Sequence, residues 1–121
     1  LISQLLKEFY DEFQDKPFKW GEWDCIIFSA KWIEFSTGKV IYIPKYSSSL
    51  GSRKYNIINR INKELTETKN PKIGDIVVYK QKDNILTTGI KMENAILALH
   101  KDGLIPVCFN YDLAWELPCR H

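Results

Sequence analysis

Apolar positions keep a helical period through the first half of the chain and a strand period through the second. Ile2, Leu5, Leu6, Phe9 and Phe13 fall at i, i+3, i+4, i+7 and i+11, a single stripe that predicts a helix from Leu1 to Phe13, with Pro17 marking its end. A loop rich in aromatic residues follows, Phe18-Lys19-Trp20-Gly21-Glu22-Trp23-Asp24. Cys25 to Ser36 reads as a second helix. Ile26, Ala30 and Ile33 mark one face, and Cys25, Phe28, Ser29 and Trp32 a neighbouring one. A helix apolar nearly all round belongs in the centre of a core. Asp24 is its expected N-cap and Gly38 its C-terminal stop. Val40 to Pro44 is short and extended, and Ser47 to Lys54 is polar and loop-like. Ile58, Ile61 and Leu65 predict a third helix over Tyr55 to Leu65, and Thr66 to Ile73, with Asn70-Pro71, reads as a connector.

From Gly74-Asp75 onward the pattern is β. Strands are expected at Ile76 to Lys80, Leu86 to Met92, Ala95 to Leu99, Leu104 to Phe109 and Ala114 to Leu117. Glu93-Asn94 turns the second into the third, and His100 to Gly103 forms the next turn. Helices first and an antiparallel meander afterwards predict an α+β fold with a sheet of about five strands. No segment repeats, and none is of low complexity.

A length of 121 residues fits one domain, 1–121, large enough to bury a core without disulfide or metal staples. The chain is 45% hydrophobic and 26% charged, which argues against disorder. A net charge of +2 carries no nucleic-acid footprint. No apolar run reaches the roughly 18 residues that a membrane span needs, and Lys7, Glu8, Asp11 and Glu12 break the N-terminal stripe in a way foreign to a signal peptide. Three cysteines without a CxxC pair make a disulfide framework an unexpected choice. Cys108 and Cys119 could pair, although their spacing does not demand it. Cys25, His100, Cys108, Cys119 and His121 lack metal-ligand spacing, so neither metal nor cofactor is expected.

Cys25 is the residue on which chemistry centres. The N-terminus of a helix presents unpaired N–H groups and a partial positive charge. A cysteine in the first turn is expected to shift toward thiolate, the nucleophilic form. The loop before it could wall a cleft, with Gly21 letting backbone approach a ligand and Trp20, Trp23 and Asp24 offering binding groups. Position alone leaves a second reading open, a small buried hydrophobe. Core packing likewise explains most of Trp20, Trp23, Trp32 and Trp115, capping explains Asp24, a turn explains Asp75, and sheet packing explains Tyr79.

The stretch Phe18-Lys19-Trp20-Gly21-Glu22-Trp23-Asp24-Cys25-Ile26-Ile27-Phe28, then Thr37-Gly38, Gly74-Asp75-Ile76-Val77-Val78 and Gly89-Ile90, resembles the NlpC-type cell-wall peptidases of the papain-like thiol enzymes. More narrowly it resembles a group of short phage and prophage proteins encoded among tail genes. These share an aromatic-x-Trp-Gly-x-x-Asp-Cys opening, a mid-chain Gly-Asp before a strand, and an aromatic-rich C-terminus, matched here by Ala114-Trp115. The resemblance runs from about Phe18 to Trp115. It implies an NlpC-like fold, a nucleophilic Cys25 heading a central helix packed on an antiparallel sheet, and hydrolysis of peptide amides in peptidoglycan. It also implies phage tail proteins as partners and a place in the virion, after synthesis in the bacterial host cytoplasm.

One departure is serious. The peptidases carry a histidine two residues before the Gly-Ile pair, and this chain has Thr87 there. Threonine cannot serve as a general base near neutral pH. His100 invites a geometric test. A two-residue hairpin loop at Glu93-Asn94 pairs Met92 with Ala95 and, carried along the strands, Thr87 with His100. Directly opposed side chains lie about 4.5–5.5 Å apart at Cβ. His100 is thus a relocated base, a leftover orienting group, or a turn residue facing water; a one-residue change of register separates these.

Two functions follow. In the first, Cys25 attacks an amide of the cell-wall peptide stems, His100 shuttles the proton, and the Cys25 N–H helps hold the oxyanion. In the second, a catalytically inactive component of the tail keeps the fold for binding or assembly. A host enzyme acting on another amide or a thioester is a third reading.

Overall fold

The computed structural model describes residues 1–43, 45, 57–80, 86–108 and 110–118, with backbone alone at 57 and 58. The expected loop at Ser47 to Lys54, and with it Pro44, Phe109, Cys119 and His121, lie outside the described residues.

Three described helices precede the sheet: α1 (Ile2–Phe13), α2 (Cys25–Thr37) and α3 (Ile57–Glu64). The stripe on α1 buries Leu6 and Phe9, and the Phe9 ring packs against Phe28, Trp32 and Phe35 of α2 at 5.3–6.0 Å. As its composition requires, α2 is buried on most sides, including Ile26, Phe28, Trp32 and Ile33. Asp24 caps its start, and Gly38, at φ 83°, ends it by donating its N–H to Glu34 at 2.8 Å. Lys39 bonds the Glu64 carbonyl at 2.9 Å, which ties the exit of α2 to α3.

The fold is α+β, with a six-stranded antiparallel sheet: β1 (Thr66–Glu67), β2 (Ile76–Lys80), β3 (Leu86–Lys91), β4 (Ile96–His100), β5 (Gly103–Val107) and β6 (Leu113–Glu116), in the order β1-β6-β2-β3-β4-β5. The expected five strands all appear. The sixth, β1, falls in the segment read as a connector. Its two residues are exposed and pair with Glu116 and Trp115 of β6. Backbone pairing alone makes this strand, so no apolar alternation announced it.

Alternate residues divide between the two faces of the sheet. Ile76, Val78, Ile90, Leu97, Leu99 and Trp115 join the helices in the main core. Val77, Tyr79, Ile96, Ala98 and Ala114 form a second buried cluster on the other face. The central strand β2 is therefore buried from Ile76 to Tyr79. Gly89 belongs to a tight approach within the hairpin, because a Cβ there would run into Ile96 of β4.

The Gly-Asp turn joins three parts of the molecule. Asp75 accepts from Lys72 N–H at 2.8 Å and Leu117 N–H at 3.2 Å, as a turn-fixing aspartate would. Its carbonyl accepts from Lys91 N–H, and the Gly74 carbonyl accepts from the Trp32 indole at 2.7 Å. Among the described residues, no helix is long and apolar enough to cross a membrane.

Candidate functional site around Cys25

The loop before Cys25 is a small structure of its own. Lys19 and Trp23 exchange backbone hydrogen bonds at 3.0 and 2.8 Å, with Gly21 at φ 79° between them. A left-handed backbone favours glycine at that position. Asp24 organises the rest. Its Oδ2 accepts from Gly21 N–H at 2.9 Å, and its Oδ1 accepts from Ile26 and Ile27 N–H, each at 3.0 Å. It is wholly buried.

The four residues expected to meet a ligand therefore divide. Asp24 and Trp23 are interior. Trp23 lies among Phe13 at 5.0 Å and Phe28 at 6.1 Å, with the Lys16 ammonium 4.5 Å from its ring. Trp20 is half-buried, edge-on to Phe18 at 4.8 Å. Gly21 borders a shallow groove of about 300 Å³ beside Ile27, Ala30 and Lys31.

Cys25 opens α2, as the pattern predicted, but its thiol is not shifted toward thiolate. Burial pushes its pKa up from the ordinary 9.0 and outweighs the opposing help of the Thr88 backbone; the nearby Asp24 carboxylate adds to the rise, and the Thr88 hydroxyl and the Cys25 N–H take a little from it. The donors expected to stabilise a thiolate are already in use. Ile26 and Ile27 N–H serve the Asp24 carboxylate, and Phe28 N–H serves the Asp24 carbonyl at 2.8 Å. The carboxylate that caps the helix opposes the field the cysteine was expected to feel.

Two hydroxyls that the sequence reading did not single out for chemistry complete the surroundings. Ser29, one turn along α2, donates to Thr88 of β3 at 2.8 Å, and Thr88 donates to the Cys25 carbonyl at 2.6 Å. Both are buried. A serine four residues after Cys25 on a nearly apolar helix was the available signal, together with a threonine alternating with Ile90. A small cavity of about 40 Å³ lies behind the pair, walled by Ile26, Ile33, Ile61 and Ile76.

Thr87, the position expected to face the thiol, faces away from it. Its β2 partner is Tyr79, a member of the second cluster, whereas Thr88 is opposite Val78 of the main core. Among the described residues, His100 is not the ladder partner of Thr87. The hairpin forms in the expected register, with Met92 N–H on the Ala95 carbonyl and Ile90 opposite Leu97. Among the described residues, that ladder ends at Ile90. Beyond it β4 pairs with β5, and exposed His100 sits opposite Gly103. Their turn docks beside the start of the aromatic loop, where Phe18 N–H bonds the Lys101 carbonyl and Leu104 N–H bonds that of Gln14, both at 3.1 Å. Cys108 is free and exposed.

Residues 2–117 match a family model described as Domain of unknown function (DUF6950). No curated protein matches the chain.

Proposed function

The chain belongs to that family, and from this premise we propose that it is an NlpC-like domain of a phage or prophage tail whose thiol site is catalytically silent, serving as a binding or assembly module. The tail setting and the NlpC-like, papain-like ancestry rest on the Trp-Gly-x-x-Asp-Cys opening and its companion motifs. Silence rests on one observation: the β3 side chain that reaches Cys25 is that of Thr88, whose hydroxyl donates to the Cys25 carbonyl and cannot hold a proton taken from the thiol near neutral pH. In this reading Trp23 and Asp24 hold the loop, while Trp20 and Gly21 contribute surface for tail proteins or for peptidoglycan.

The competing reading is a thiol amidase or endopeptidase that opens peptide stems, with Cys25 attacking and His100 shuttling the proton. It needs a base within reach of Cys25. Incubation of the purified chain with peptidoglycan, beside Cys25→Ala, decides between them. Equal and negligible release of soluble peptides is expected from both. Release that depends on Cys25 would establish the hydrolase and remove the silent reading. Iodoacetamide alkylation in His100→Ala provides a second check: the pH profile of Cys25 is expected to match the wild type.

A further inference from the structure

The sheet ends in two guarded edges, whereas the segment that leaves α2 carries an unguarded one. β1 is two residues long, and β5 contains Pro106 and is held at Leu104, whose N–H bonds the Gln14 carbonyl. Short strands, proline and a covering segment are the usual protection of a sheet edge. Residues 39–43 differ. Val40 and Tyr42 are 70% and 71% exposed, while Ile41 and Ile43 turn inward and wall both the cavity beside Ser29 and the groove beside Gly21. That alternation is the pattern of a strand, yet the segment belongs to no sheet. The Arg60 guanidinium donates to the Tyr42 carbonyl at 3.3 Å, which puts the backbone edge of residues 40 and 42 on the side of α3. The backbone groups of the odd-numbered residues point the other way, toward the groove. Thr37 takes the Lys39 N–H at 3.2 Å, and among the described residues the backbone groups of Ile41 and Ile43 have no hydrogen bond.

We propose that this edge is a docking strand, and that its occupant is an extended, acidic segment of a partner protein. The segment exchanges main-chain hydrogen bonds with Ile41 and Ile43, and its inward side chains rest on Ile27 and Ala30 in the groove of about 300 Å³. Its outward side chains cover Val40 and Tyr42, where β-branched residues pack well across strands. Charge sets the acidic preference. Lys31 is paired with Glu34 at 3.8 Å, whereas exposed Lys45, on the rim of the same groove, has no ion pair among the described residues. A second copy pairing through the same segment is the poorer occupant, since residues 39–45 would bring two more lysines and no carboxylate. The inference rests on the binding-module reading for its purpose and names the kind of partner.

The test is an NMR titration of the intact, isotope-labelled chain with an end-blocked synthetic peptide, Val-Glu-Val-Thr-Val-Glu, at millimolar concentrations. Saturating shifts of the Ile41 and Ile43 amides are expected, with those of Ile105 and Val107 on the β5 edge left in place. The same peptide N-methylated at alternate residues, and so stripped of the donors that pair with the strand, is expected not to bind. Lys45→Glu is expected to weaken the glutamate peptide several-fold and to favour a counterpart with lysine in place of glutamate, the unshifted amides elsewhere reporting an intact fold. Absence of shifts at Ile41 and Ile43 would overturn the proposal. Equal shifts with the N-methylated peptide would overturn it too, by reducing the contact to apolar cover of the groove. An unchanged affinity in Lys45→Glu would overturn the acidic preference. Shifts of the same amides with protein concentration alone would give the edge to a second copy and remove the proposed occupant. The silent reading fails on release of peptides from peptidoglycan by the wild type, and this inference fails on the strand titration, so the two failures are separate.

Discussion

Asp24 directs its carboxylate at the backbone on both sides of Cys25, toward Gly21 and toward Ile26 and Ile27. One residue therefore starts α2, closes the aromatic loop and adds a negative charge beside a thiol that burial already disfavours ionising. Asp24→Asn keeps a capping oxygen and removes the charge. It is expected to lower stability by about 1 kcal/mol and to move Cys25 alkylation to lower pH, since a negative neighbour is lost. Denaturant titration and the alkylation profile check the two effects separately. The thiol also makes a prediction for the fold. Its pKa is raised above the ordinary 9.0, so the folded state favours the neutral form. The stability this contributes is complete below 9.0 and falls away as pH rises through and beyond that value. Wild type is expected to lose melting temperature between neutral pH and pH about 10 faster than Cys25→Ala. Parallel melting curves for the two proteins would show that the thiol is not held neutral by the fold.

At the scale of elements, the hairpin of β3 and β4 carries the sharpest constraint. Gly89 and Ile96 approach too closely for any side chain at 89. Gly89→Ala must displace Ile96 or part the strands, and a loss of about 1–3 kcal/mol is expected by chemical denaturation. An unchanged midpoint would mean that the strands can separate there freely. The same hairpin shows why a correct register did not settle the site. The turn at Glu93-Asn94 sets the pairing near it, as the two-residue spacing implied. Farther along, Thr87 is in register with Tyr79 of β2 and His100 with Gly103 of β5, and among the described residues the β3–β4 ladder does not extend to the two of them.

Over the whole molecule, the Gly74-Asp75 turn connects helix, sheet and C-terminal segment through Trp32, Lys91 and Leu117. Trp32→Phe keeps an aromatic ring in the core but orphans the Gly74 carbonyl. A loss of about 1–3 kcal/mol in unfolding free energy is expected. A much smaller change would mean that the carbonyl finds another donor. Helix periods, the Asp24 cap, the Gly38 stop and five strands were legible along the chain because each is set by neighbours within a few residues. The place of Cys25 in the first turn of α2 was legible for the same reason. The direction of its pKa was not, because it depends on burial and on how many N–H groups Asp24 has already taken. Nor was the strand β1, which consists of backbone pairing without an apolar signature. Which of Thr87 and Thr88 reaches Cys25, and which residue His100 faces, depends on strands far apart in sequence choosing their neighbours. That choice belongs to the packing of α2 across the sheet, since only there do residues 25, 29 and 88 come within hydrogen-bonding distance.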